Sequence, residues 1–298
     1  MAADSSEAAG PGTEPDAEAE SQFAHGTALV RATALDLAIL AGHLLLYPTG
    51  ILPERGSAPD PEIEHMPEED GPAAAPVGPR GPSRLPTEGR AHPPVLLLHG
   101  LVDNRSAFTL LRRSLLRHGW TRVQAINHSP LICDIRTAAE LLARHVEQTC
   151  QESGHRQVDL VGHSLGGLIA RYYVQRLGGD ARVRTLVTLG TPHGGTRAIS
   201  LLTPHPMVRQ MRPGSELLEE LATPAPGCRT RFVAFWGDLD QLMLPVETAR
   251  LEHPDLLVKN IKVRGIGHLA LTVHGAVAAE IRRELAADEP LAPASDVA

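Results

Sequence analysis

The sequence predicts an α/β fold, a mostly parallel sheet with helices on both faces. Two observations carry that prediction. Six short, nearly continuous apolar runs recur between residues 93 and 268, and amphipathic stretches of helical length separate most of them. Strands buried on both faces lose the alternation of a half-exposed sheet, so unbroken apolar runs between helices indicate parallel pairing.

In chain order, residues 1–25 are mainly Ala, Glu, Ser, Gly and Pro, too poor in apolar bulk to fold, and are expected to form a disordered acidic tail. Residues 26–50 read as an apolar helix. Its uninterrupted apolar part, Leu37 to Tyr47, falls short of the ~20 residues that span a bilayer, and Arg31 and Asp36 lie just before it. A transmembrane span is therefore not expected. Two roles stay open: a helix buried on the main domain, or one that touches a membrane surface through residues 37–47 or meets a second copy. Eleven prolines fall between Pro53 and Pro94. Each removes a backbone donor, so residues 51–92 are expected to be a linker.

The main domain is expected over residues 93–287. Its strands are PVLLLHG, RVQAIN, QVDLVGHS, RTLVTLG, RFVAFWG and NIKVRGIGH. Its helices are SAFTLLRRSLLRHG, DIRTAAELLARHVEQTCQESG, SLGGLIARYYVQRLGG and LALTVHGAVAAEIRREL, with a second tail at residues 288–298. There is no internal repeat.

Composition narrows the function classes. The net charge is −7, and lysine occurs only at Lys259 and Lys262, so nothing favours nucleic acid as a partner. Cys133, Cys150 and Cys228 have no C-x-x-C spacing, which argues against a zinc site and a disulfide framework, although one pair could still bridge. The first twenty residues carry six acidic side chains and no basic one. A secretory signal starts cationic, so a cytoplasmic protein is expected.

The motif with chemical content is G-H-S-L-G, Gly162 to Gly166. A pattern this short arises by chance in roughly one chain in ten of this composition, so its context decides. Ser164 follows one apolar run and opens a helix, at the strand end where an α/β sheet places reactive groups. A sharp strand-to-helix turn crowds the chain, and Gly162 and Gly166 supply missing side chains that allow it. The free N–H of Leu165 at the helix start can then donate to a developing oxyanion. The alternative is a serine that merely caps the helix. The loop after PVLLLHG offers Leu101 N–H as a second donor, and His99 is read as bracing that loop.

A serine nucleophile needs a histidine base and a carboxylate to orient it, in the chain order Ser, acid, His. RFVAFWG ends at Asp238 and Asp240, either of which could be the acid. Asp240, further into the loop, is favoured, and the other is left as a turn residue. His268 ends the last strand, whereas His274 falls within the following helical stretch. His268 is the expected base, and His118, His145 and His155 are ordinary surface or loop residues.

The ordered blocks PVLLLHGL, VDLVGHSLGGLIARYY, LVTLGTPHGGT, MRPGSELLEEL, WGDLDQLMLP and GIGHLAL resemble the α/β-hydrolase lipases and esterases, in particular bacterial triacylglycerol-lipase-like proteins and the related GPI inositol-deacylases. The resemblance covers about residues 93 to 285. It implies the α/β-hydrolase fold, with Ser164 as nucleophile, Asp240 as orienting acid, His268 as general base and then acid, and the Leu101 and Leu165 amides as oxyanion hole. It gives His193 a structural role.

It also implies a cap over the acyl pocket at about residues 194–228, where Leu201, Leu202, Met207, Met211, Leu217 and Leu218 either line the pocket or simply pack. No aspartate cluster around His268 resembles a lipase calcium site, so neither a metal nor a cofactor is expected. The expected function is hydrolysis of an acyl ester of lipid-like type. Acyl transfer through the same intermediate and a non-catalytic binding protein on a hydrolase fold are the alternatives.

Overall fold

The computed structural model describes residues 14–51, 92–101, 103–127, 134–198 and 205–287. Residues 52–91 of the expected 51–92 linker, the tail at 288–298, and Cys133, Leu201 and Leu202 lie outside the described residues. Six strands form at the expected places: β1 (Val95–Leu98), β2 (Val123–Ile126), β3 (Val158–His163), β4 (Val183–Leu189), β5 (Arg231–Gly237) and β6 (Leu257–Val263), the last ending five residues before His268, which therefore lies in the following loop and not at the strand end as expected. They make one sheet in the order β2-β1-β3-β4-β5-β6, every pair parallel.

Side chains alternate across this sheet, so each strand feeds two cores. Leu96, Leu98, Leu160, Leu186 and Phe232 face α3 (Ile135–Ser153), α4 (Leu165–Arg176), α5 (Pro206–Gln210) and α6 (Glu216–Ala222). Val95, Leu97, Val161, Val187, Val233 and Phe235 face α2 (Thr109–Arg117), α7 (Ala270–Val273) and α8 (Gly275–Ala286). The C-terminal helical stretch is thus two helices rather than one. They meet at His274, which caps α8 instead of lying within a helix. β-Branched Thr272 and Val273 followed by Gly275 make a poor helix interior there.

The chain crosses from β1 outward to β2 and then returns to place β3 on the other side of β1. That reversal opens a crevice between the loops after β1 and β3. Ser164 follows β3, so the topology alone puts it there. Among the described residues β6 is an edge strand of the sheet, and both lysines of the chain, Lys259 and Lys262, lie on it.

The N-terminal helix α1 runs from Glu14 to Ile51. Residues 14–25 are therefore helical, not the disordered tail expected from their composition. Ala and Glu are among the best helix formers, and acidic residues are favoured at a helix N-terminus. Among the described residues the window Ala24–Leu45, 22 residues, is long and apolar enough to cross a membrane. The count from Leu37 underestimated it because Arg31 and Asp36 interrupt the run without offsetting their neighbours. The helix touches the body along one narrow stripe, with Ala32 and His43 buried and Ile39 packed against the α7–α8 side. Val30 (69%), Leu37 (61%), Leu44 (61%) and Leu45 (81%) remain exposed.

The described part of the expected cap region, residues 205–228, packs on the sheet domain. Met207, Met211, Leu217 and Leu218 are buried in the α3–α4 core, which selects packing over pocket lining for these four. Glu220 of α6 accepts hydrogen bonds from Tyr172 (2.7 Å) and Arg136 (3.0 Å), fixing α6 to α4 and α3. Cys150 and Cys228 are free thiols.

Candidate active site

Ser164 has φ 52° and ψ −120°, and among the described residues it alone combines positive φ with a side chain. Such a conformation costs on the order of 1–3 kcal/mol and persists only where neighbours enforce it. The glycines around it show what enforces it. A Cβ on Gly162 would come within 2.6 Å of the Gly167 backbone, and one on Gly166 would run into the carbonyls of Leu98 and His99. Gly167, not singled out from the sequence, is equally constrained, because a Cβ there would overlap Thr191 Oγ1. The Ser164 side chain makes no capping hydrogen bond, so the hydroxyl is not used to start α4.

The loop after β1 closes against the serine. A Cβ on Gly100 would lie 3.3 Å from Ser164 Cβ. His99 braces this loop, its Nδ1 lying 2.8 Å from Gly100 O. Leu101 follows directly, so both expected oxyanion donors, Leu101 and Leu165, belong to segments that meet at Ser164.

The expected acid and base contact each other, and His163, the residue before Ser164, packs against the base. His268 Nδ1 lies 2.8 Å from Asp240 Oδ2, with both side chains almost wholly buried. Asp240 Oδ1 accepts the backbone N–H groups of Leu242 (2.9 Å) and Met243 (3.2 Å). Its two oxygens are thus divided between the loop and the histidine. Asp238 faces elsewhere, accepting from Gly265 N at 2.7 Å as a turn residue does. Burial pushes the His268 imidazole down, but the charge and hydrogen bond of Asp240, with the charges of Asp36 and Asp103, outweigh it and hold the pKa above its ordinary value.

Next to the serine, His163 packs its ring 4.7 Å from that of His268, and its Nε2 lies 3.3 Å from His268 O. His163 Nδ1 faces Asp103 Oδ2 at 3.5 Å, and Asp103 Oδ1 meets His43 Nδ1 of α1 at 3.0 Å. Burial would raise the Asp103 carboxyl, but the hydrogen bonds of His163 and His43 hold it well below the usual carboxylate range. Desolvation in turn pushes the His163 imidazole down. Sequence reading missed this buried network, and it missed Asp36, whose carboxylate accepts the N–H of His268 (2.8 Å) and of Ala270 (3.0 Å).

His193 is buried, its Nε2 lying 2.9 Å from Thr188 Oγ1 and its Nδ1 3.4 Å from Arg171. Burial and the charge of Arg171 depress its pKa well below the ordinary value. Among the described residues no group of three His, Cys, Asp or Glu side chains is arranged to hold a metal ion.

Comparison with known proteins places the chain. Residues 94–249, just over half of it, match the profile of palmitoyl protein thioesterases. The chain belongs to the palmitoyl protein thioesterase family. This thioesterase-family chain is also 32% identical over 111 residues to triacylglycerol lipases of Pseudarthrobacter phenanthrenivorans and Burkholderia plantarii. The match covers 35% of the chain and 34% and 30% of those proteins, so the chain spans about a third of the length of the curated relatives it matches.

Among solved structures, the mature form of a Bacillus licheniformis lipase superposes with a TM-score of 0.56 at 18% identity, over 69% of this chain and 96% of that one. Aspergillus fumigatus lipase B gives 0.57 at 16% identity, over 67% and 54%. Likeness at that identity shows the fold, and the fold of this thioesterase-family member is the α/β-hydrolase fold.

Proposed function

We propose that the protein is a serine hydrolase of carboxylic esters with a lipid-like acyl group. The observation that carries the reading is the buried 2.8 Å Asp240–His268 contact beside a serine held at positive φ. In the proposed mechanism Ser164 Oγ attacks the acyl carbonyl while His268 Nε2 takes its proton. Asp240 keeps the Nδ1–H tautomer and stabilises the imidazolium. The Leu165 and Leu101 amides hold the tetrahedral oxyanion. The alcohol leaves with the proton from His268, and water, deprotonated by the same histidine, releases the acid from the acyl-serine.

Family membership favours a second substrate type for the same steps, an acyl thioester, whose thiol leaves in place of the alcohol. A cavity of about 400 Å³, within the range of small-molecule pockets, lies where β1 and β2 end, between Leu98, Ile126, Ala138, Leu142 and Ile169, and is lined by none of Ser164, Asp240 and His268. The exposed stripe of Val30, Leu37 and Leu44 is proposed to rest on a lipid surface, because α1 packs directly on the loops that carry His268 and Asp103.

The test is turnover of p-nitrophenyl esters from acetate to palmitate, and of the matching thioesters, with and without lipid vesicles. Ser164→Ala is expected to abolish turnover and fluorophosphonate labelling. Full turnover by that variant overturns the mechanism.

A further inference from the structure

Helix α1 is joined to the sheet domain by a forty-residue proline-rich segment, which suggests an appendage, yet its packed stripe ends on the active site at two points. Ala32, Asp36, Ile39 and His43 follow one another at helical spacing, and the two polar members sit seven residues, or two turns, apart. Asp36 accepts two backbone N–H groups at the start of α7, those of His268 and Ala270. Leu269, which precedes α7, has no side-chain oxygen to do this locally. Gly267 supplies an independent sign that the fit is built. Its backbone carries no positive φ, but a Cβ there would run into the Asp36 carboxylate. The glycine makes room for the acid.

The second point is His43, which pairs with Asp103, which faces His163, which in turn contacts the His268 carbonyl. His268 is therefore held at three places: its N–H by Asp36, its carbonyl side by the His163 network, and its ring Nδ1 by Asp240. Two of the three depend on α1.

We propose that α1 is part of the catalytic unit and that Asp36 is a positioning residue, fixing the backbone of His268 so that its ring spans Asp240 and Ser164. The inference rests on the proposed roles of Ser164, Asp240 and His268. A misplacement of about 1 Å at a reacting group costs about 10²-fold in rate. Asp36→Ala, which frees both N–H groups, is expected to lower kcat about 10- to 100-fold with KM little changed.

Asp36→Asn retains the shape and one acceptor, so it covers the case in which the alanine variant does not fold, and it is expected to give a smaller loss. Charged or titratable groups facing His268 are Asp240, Asp36, Asp103 and His163. Removing one negative charge disfavours the imidazolium, so the acid limb of kcat/KM should move to lower pH.

Rates are to be normalised to fluorophosphonate-titrated sites in the full chain. The His268 ring is to be titrated by NMR in a Ser164→Ala background, a readout that does not require turnover. If Asp36→Asn lowers only the melting temperature, leaving kcat per titrated site, the pH profile and the His268 titration unchanged, Asp36 is merely structural and the inference is overturned. Turnover that survives Ser164→Ala overturns instead the catalytic reading on which it rests.

Discussion

Asp240→Asn separates the two aspartates and tests the tautomer argument together. The two backbone donors at Asp240 Oδ1, Leu242 and Met243, dictate how an asparagine would sit. They demand its carbonyl oxygen, which turns the NH2 group toward His268 Nδ1. That nitrogen must then accept, and the ring proton moves to Nε2, the atom that has to receive the serine proton. Reversing the amide would forfeit two hydrogen bonds, about 2–3 kcal/mol together, so the unproductive orientation is favoured by roughly 30- to 150-fold. The kcat should fall by at least that factor if turnover comes from the reversed minority, and by up to about 10⁴ if the wrong tautomer is never escaped. The assay is steady-state hydrolysis of p-nitrophenyl butyrate, normalised to titrated sites, with circular dichroism to confirm folding. Asp238→Asn, altering a turn contact to Gly265 and a half-exposed ion pair with Lys262, should leave kcat nearly unchanged. A folded Asp240→Asn enzyme keeping more than about a tenth of wild-type kcat, or an equal loss in Asp238→Asn, would refute the reasoning.

Four further outcomes are expected. His268 must be neutral to act as a base, and neighbouring carboxylates raise its pKa, so kcat/KM should rise with pH through an inflection above about 6.5, the ordinary histidine value. Gly167→Ala drives a methyl into buried Thr191 and should cost about 1–3 kcal/mol in urea unfolding, with part of the loss recovered when Thr191→Ala is added. Arg171 is buried and donates to the carbonyls of His193 and Leu221. Arg171→Ala strands the His193 carbonyl and leaves that of Leu221 with Gln175 alone, and should destabilise by about 1–3 kcal/mol, with faster amide exchange in α6. Leu37→Glu combined with Leu44→Glu should weaken sedimentation with phosphatidylcholine vesicles without changing hydrolysis of a soluble ester.

The sheet was legible because its strands are buried on both faces and so read as apolar runs, each bounded by glycine, polar residues or proline. Ser164 was legible because the glycines its turn requires, Gly162 and Gly166, stand within five residues of chain. Gly167 was not, since the obstacle to a side chain there is Thr191, 24 positions away in sequence. The Asp36 contact to His268 spans 232 residues, and no local pattern distinguishes that aspartate from a charge on a solvated face. Helix α1 was misjudged for a related reason. Composition shows that it is apolar but not which side meets the body, and Ala and Glu at its start suit disorder and helix alike.

The lysines of β6 bear on how the protein coexists with copies of itself. An edge strand presents unpaired N–H and C=O groups to which another strand can add, and charged side chains, lysine above all, are a defence against it. In a chain that otherwise relies on arginine for positive charge, both lysines stand on this edge. Lys262 lies 5.1 Å over the Trp236 ring, and Lys259 is anchored to Glu284 at 2.6 Å. Arginine would stack on aromatic rings and grip carboxylates of a second molecule more readily than a strongly hydrated ammonium does. Charge at these two positions is of the kind that disfavours edge-to-edge association, and replacing both with apolar residues is expected to lower solubility.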